Sequence, residues 1–291
     1  MDTKMGKRRS YRTEKRYIDT PEGKLKLLVL TPPGNGTARV GVLWIHGGGY
    51  STGMAAMAHF TRARDLCAGC GTVVVSPEYR LSGKAPYPAA LHDCHAALLY
   101  LRDHAAALGV RDDQIMVGGE SAGGGLAVAL CMYEHDLGVD GVRIAFQMPL
   151  YPMLDCEDTE TSRDNHAPVW NTRRNHYGWR QYLRDVDKTA VPCYASPARR
   201  VDYTGLPPAY TFVTTAEPFY AETMTYIRRL QEAGIRAHVD VYPGLFHAFD
   251  MLLPWLPVSR KAAHAFAERF RYAAAHDFAP QWIDVGGRKS K

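Results

Sequence analysis

The sequence predicts an α/β fold: a mostly parallel central sheet with helices on both faces. Two observations carry this. Short β-branched or apolar runs alternate with helical segments along the chain. Several of those runs, such as "VGVLWIHGGG", are continuously apolar and end in glycine, as strands covered on both faces do. With 291 residues, 46% of them hydrophobic, the chain is large enough for one domain with a sizeable core.

The elements follow in order. "KLKLLVLTPP" alternates and stops at a proline pair, so it predicts a strand entering a turn, and "VGVLWIHGGG" is the next strand. "AMAHFTRARDLCAG" predicts a helix, "TVVVSPEYR" a strand, and "PAALHDCHAALLYLRDHAAAL" a longer helix with proline near its start. "DQIMVGGES" predicts a strand running into the helix "SAGGGLAVALCMYEH", and "RIAFQMPLYPML" a further strand. The rhythm resumes with strand "AYTFVTTAE", helix "FYAETMTYIRRLQEAG", strand "RAHVDVYPG" and helix "VSRKAAHAFAERFRYAAAH". Between them, Asp155 to Leu206 is polar, aromatic-rich and too long for an ordinary connection. It predicts a cap-like insertion, with one or two helices in "WNTRRNHYGWRQYLRDV", placed where strands end and a site can be covered.

The formal charge of +5 is modest, and the opening sixteen residues hold seven Lys/Arg against two acids. That run predicts a solvated basic tail over residues 1–16, with a single domain over 17–291. Basic residues interleaved with aromatics over folded elements are not found, so nucleic acid is not an expected partner. No apolar run approaches ~18 residues, and no apolar core follows the N-terminal charges, so neither a membrane partner nor a signal peptide is expected and a cytoplasmic location is. The six cysteines sit in apolar surroundings and are expected as unpaired thiols. "CAGC" at Cys67 to Cys70 has redox spacing but no catalytic context, and lacks the second ligand pair a metal site would need.

Two motifs carry chemistry. Gly119-Glu120-Ser121-Ala122-Gly123 is a G-x-S-x-G sequence between a predicted strand and a predicted helix. That context suits a nucleophile elbow, a turn so sharp that flanking glycines are needed while the serine oxygen stands above the sheet. Upstream, His46-Gly47-Gly48-Gly49 closes an apolar strand. Glycines there leave backbone N–H groups unobstructed, as an oxyanion hole requires; a phosphate loop would instead want a helix directly behind it. Of twelve histidines, His247 in "YPGLFHAF" alone follows the last predicted strand in a Pro/Gly loop, where it can reach Ser121. His238 falls inside that strand with its side chain expected in a packed face, and His92, His95 and His104 fall on a helix.

"HGGGY", "EYRLSGKAPYPAALHDC", "GGESAGGGLA", "LYPMLD", "GLPPAY" and "YPGLFHAF" resemble, in order, landmarks of the hormone-sensitive-lipase-like esterases of the α/β-hydrolase superfamily, from about Val40 to Phe249. The resemblance implies hydrolysis of carboxylic esters, commonly with short acyl chains, through an acyl-enzyme and without a cofactor. It also agrees with His247 as the base. In related esterases the triad acid is usually an aspartate in a D-P-L-like turn; here Glu217-Pro218-Phe219 stands at that place, one methylene longer, and either carboxylate serves. Asp155 and Glu222 remain competitors, Glu222 being expected solvated or paired with Arg228 or Arg229.

The expected oxyanion donors are the N–H groups of Ala122, Gly48 and Gly49, with Gly47 shaping the turn. Glu120 either orients the elbow or faces solvent. Tyr50, Trp170, Tyr177 and Trp179 are candidates for substrate contact or for packing. Relatives commonly carry an N-terminal helical cap that this chain has little length for, so a comparatively open site is expected, taking acetyl or other short acyl groups on a bulky alcohol. Two rivals stay in view: hydrolysis of small amides by the same triad, and a ligand receptor on the same fold, which could dispense with the base. Oligomeric state is not legible; a homo-oligomer is left open.

Overall fold

A computed structural model describes residues 11–34, 36, 38–285 and 288–290. Along the chain run β1 (Arg12–Thr20), β2 (Gly23–Thr31), β3 (Arg39–Ile45), α1 (Arg62–Cys70), β4 (Val73–Pro77), α2 (Ala89–Asp103), α3 (Ala105–Leu108), β5 (Val110–Glu120), α4 (Ala122–Asp136) and β6 (Phe146–Leu150). Then come α5 (Thr172–Tyr182), β7 (Ala209–Thr214), α6 (Tyr220–Glu232), β8 (Ala237–Tyr242), α7 (Phe249–Leu252) and α8 (Pro257–His276). These eight strands form one sheet in the order β1-β2-β4-β3-β5-β6-β7-β8, and two short strands, Ile283–Val285 and Arg288–Ser290, pair separately. In the eight-stranded sheet, the pairings of β1 with β2 and β2 with β4 are antiparallel and all others parallel.

The central strands are apolar throughout because successive side chains point to opposite faces and both faces are covered. Leu43, Ile45, Val73, Val75, Ile115 and Val117 pack with α2 and α4, through Leu91, Leu98, Leu126 and Leu130. Val42, Trp44, Val74 and Met116 point the other way, into a core completed by Leu66 of α1 and Phe266 and Phe270 of α8. The parallel strands therefore all end on one edge of the sheet, where the β3, β5, β7 and β8 connections gather.

Three expectations change. The basic run is not all tail: residues 1–10 lie outside the described residues, but Arg12–Arg16 form the first half of β1, paired to β2 in continuous register. An edge strand needs only one partner and tolerates charge, which is why β1 lacks an apolar signal. The helix expected from "AMAHFTRARDLCAG" is broken into a 3-10 turn, Ala55–His59, and α1, because Thr61 caps α1 by accepting from the Ala63 N–H. The β6 strand stops at Leu150, where Tyr151 takes φ 35°. The insertion agrees with expectation in holding one α-helix, α5, capped by Asn171, besides a 3-10 turn at Pro197–Arg199.

All six cysteines are free. Burial pushes the Cys67 thiol up to about 12, which suits a small core residue rather than a redox centre. Among the described residues, no helix is long and apolar enough to cross a membrane.

Candidate active site

Ser121 sits between the end of β5 and the start of α4 with φ 57° and ψ −122°, a conformation rarely tolerated away from such an elbow. The turn is pinned from behind. The Ser121 N–H donates to the Leu150 carbonyl at 3.0 Å, and its own carbonyl accepts from Met153 and Gly125 at 3.0 and 2.9 Å. With its backbone committed, the hydroxyl is left to face His247.

The imidazole comes from the loop after β8. His247 Nε2 is 2.9 Å from Ser121 Oγ, and Nδ1 hydrogen-bonds the Glu217 carboxylate through Oε2. Glu217 stands in the turn between β7 and α6 and is fully buried; its Oε1 accepts from the Thr214 N–H at 2.9 Å. One oxygen is thus held by the strand end and the other is aimed at the imidazole. The structure brings Ser121, His247 and Glu217 into one hydrogen-bonded chain.

The competing carboxylates lie elsewhere. Asp155 accepts from the Glu157 N–H at 3.0 Å and sits 4.0 Å from Arg199. Glu222 is neither solvated nor paired with Arg228 or Arg229: it is buried, and its Oε1 accepts from the Leu154 N–H at 2.6 Å. Burial pushes its carboxyl well above the ordinary range. His238 is half-exposed, meeting Asp240 and Arg269 at 2.9 Å each, and does not point into the packed face expected of it.

The glycine loop lies against the elbow. A β-carbon added to Gly47 would fall 2.9 Å from the Glu120 carbonyl oxygen and 3.3 Å from Ser121 Cβ. Gly48 takes φ 123°, and its carbonyl accepts from Ser51 and Thr52 at 3.1 and 3.0 Å. Its carbonyl is thereby turned into the loop. Ala122 opens α4, where a first-turn N–H has no partner within the helix. Glu120 does not face solvent: it is buried beneath the elbow and accepts from Trp44 Nε1 at 2.8 Å.

The four aromatic candidates separate. Tyr50 is buried, donates to the Met153 carbonyl at 3.0 Å and stacks on Tyr182 at 3.9 Å. Trp179 packs beside them at 5.4 Å from Tyr50. Both are therefore packing, fixing α5 onto the glycine loop. Tyr177 is half-exposed on the outer side of α5, under the Arg180 guanidinium. Only Trp170 comes beside the base, 6.3 Å from the His247 ring. Phe219, not singled out from sequence, meets the same ring edge to face at 5.1 Å; its place directly after Glu217-Pro218 was the available signal.

The insertion reaches the site, where Ser121 is 6% and His247 4% exposed. Thr161 donates to the Pro218 carbonyl at 2.7 Å and Asn165 to the Ala216 carbonyl at 3.1 Å, fastening the insertion to the Glu217 turn.

A sheet of this order with a nucleophile-type elbow, a histidine loop and a buried acid turn at one edge defines an α/β hydrolase. The profile of a family described as "alpha/beta hydrolase fold" matches residues 42–251. The chain belongs to that family, in its hormone-sensitive-lipase-like branch, and is classed among carboxylic ester hydrolases. Esterase LipI of Mycobacterium tuberculosis is 30% identical over 252 residues, 85% of this chain and 78% of that one. An acetyl-hydrolase of Streptomyces hygroscopicus is 29% identical over 222 residues, 76% and 72% of the two chains. Among solved structures, a bacterial heroin esterase superposes with a TM-score of 0.85 at 31% identity, covering 91% of this chain and 84% of that one.

Proposed function

We propose that the protein is a serine esterase that hydrolyses short-acyl carboxylic esters, acetates above all, through an acyl-enzyme. The observation that carries the reading is the continuous hydrogen-bonded chain from Ser121 through His247 to Glu217, beside a glycine loop. Ser121 Oγ attacks the ester carbonyl while His247 Nε2 takes its proton, and the same nitrogen returns that proton to the departing alkoxide. Glu217 holds Nδ1–H, fixing the tautomer and stabilising the imidazolium. Water then repeats the sequence on the acyl-enzyme and releases the acid. The N–H groups of Gly48, Gly49 and Ala122 stabilise the oxyanion, each worth about 10²–10³ in rate.

The acyl preference is supported by the burial of Ser121 and by the relative named an acetyl-hydrolase. A serine-directed organophosphonate is expected to label the protein once, at Ser121, and p-nitrophenyl acetate to be cleaved faster than the long-chain nitrophenyl esters. Protein that is not labelled would overturn the esterase reading; faster cleavage of long chains would overturn the acyl preference.

A further inference from the structure

The surroundings of His247 bear on which alcohol the ester carries. Three segments meet at Trp170. A β-carbon added to Gly49 would lie 2.2 Å from the indole Cη2, and the indole is centred 6.3 Å from both the Phe219 and His247 rings. Only a glycine at 49 lets the indole rest on that loop, and from there it reaches across to the imidazole. Ser121 and His247 are themselves almost covered, and this ring stands beside the base.

The seat of Trp170 is held at a cost. Val169 has φ 71°, and the Trp170 N–H donates back to the Pro168 carbonyl at 2.9 Å, a tight three-residue turn. A β-branched residue at positive φ is strained, and such strain persists where the surroundings over-determine it, commonly at functional sites. The indole Nε1 is buried without a hydrogen-bond partner. Contacts and the turn, and no side-chain hydrogen bond, therefore set the ring's position, so an entering group can displace it without breaking one.

We propose that Trp170 determines specificity on the leaving-group side of the site, selecting esters of planar aromatic alcohols. This rests on the reading of Ser121 and His247 as nucleophile and base. In that reading His247 Nε2 protonates the departing oxygen, so the alcohol lies beside the imidazole, where Trp170, backed by the fully buried Phe219, presents its indole. A flat ring can stack offset or edge-on against the indole, a gain of roughly three- to tenfold beyond burial alone. A saturated ring of equal size makes no such contact.

Benzyl acetate and cyclohexylmethyl acetate release alkoxides of similar size and basicity and differ in planarity, so they test this directly. Wild type and Trp170→Phe are expected to favour benzyl acetate in kcat/KM. Trp170→Leu is expected to lose about fivefold on benzyl acetate and less than about twofold on the saturated ester. Equal losses on both esters, or no preference in wild type, would overturn the proposal; the wild-type ratio decides alone if Trp170→Leu does not fold. Organophosphonate labelling in parallel separates the two readings. An unlabelled wild type strikes the esterase assignment, whereas a labelled protein without preference strikes only the role of Trp170.

Discussion

Arg62 and Asp250 form a buried ion pair, with Nε 3.2 Å from Oδ2 but out of hydrogen-bond alignment, and Nη2 donating to the Asp250 carbonyl at 3.3 Å. The pair ties the start of α1 to α7, three residues beyond His247. Tyr151 closes the group: its hydroxyl donates to Asp250 Oδ1 at 3.0 Å while its ring stands edge to face against His247 at 5.0 Å. Replacing Asp250 by Ala leaves a buried guanidinium with the backbone carbonyl at 250 and Asp65, at 2.6 Å, as its remaining hydrogen-bond partners. We expect a loss of about 3 kcal/mol, since a buried charge that loses its partner is not resolvated. Chemical denaturation measures it, and an unchanged midpoint would show that the pair contributes nothing. A fall in kcat should accompany the loss, because the His247 loop loses its strut.

Glu120, directly before Ser121, predicts a pH dependence. Burial raises its carboxyl from 4.5 to about 8, against weaker opposing hydrogen bonds from Thr61 and Trp44. Between those values the folded chain keeps a proton that the unfolded chain has released. Stability must therefore fall as pH rises through this window, by up to about 1.4 kcal/mol per pH unit for this one group. Asp155, Glu222 and Asp250 are raised as well, chiefly by burial, and add slopes of the same sign. Glu120→Gln should flatten the curve and be the more stable protein near pH 8. Urea unfolding across the pH series checks this; parallel curves for the two proteins would refute it.

What could be read from sequence followed from local chemistry. The apolar central strands, the Ser121 turn and the His247 loop each carry their signal within a few residues, and Glu217 stood in a turn of recognisable form. What escaped depended on partners far along the chain. Glu222 is buried because the Leu154 N–H, 68 residues away, needs an acceptor. Tyr50 and Trp179 are packing because α5 lands on the glycine loop. β1 escaped because an edge strand with charges on both sides has no apolar period to detect.

The same contrast yields a prediction for the two neighbouring glutamates. Glu217→Gln cannot hold the imidazole tautomer as a carboxylate does, so kcat should fall by up to about 10⁴ with the fold intact. Glu222→Gln still offers an oxygen to the Leu154 N–H and should keep most activity. Glu222→Ala leaves that N–H buried without an acceptor and should cost about 1–3 kcal/mol of stability. Thermal melts beside nitrophenyl acetate kinetics distinguish the roles, and a Glu217→Gln enzyme as fast as wild type would remove this residue from the mechanism.

Two glycines of the elbow should respond differently to the same change. A β-carbon on Gly123 would fall 2.1 Å from the Ile45 carbonyl oxygen and 2.5 Å from that of His46, both backbone atoms at the end of β3. They can retreat only if the β3 end moves away from α4, which would carry the glycine loop away from Ser121. On Gly124 the nearest atoms are the Leu150 carbonyl oxygen and Pro152 Cβ, both at 3.1 Å, a crowding that shifts of a few tenths of an ångström relieve. Gly124→Ala should therefore fold with an overpacking cost of about 1–3 kcal/mol and remain active. Gly123→Ala should be insoluble, or folded with activity reduced at least about 100-fold, the loss of one oxyanion donor. Labelling of Ser121 in the purified variants reads the outcome, and a Gly123→Ala protein labelled at the wild-type rate would mean that the elbow does not need the close approach of β3.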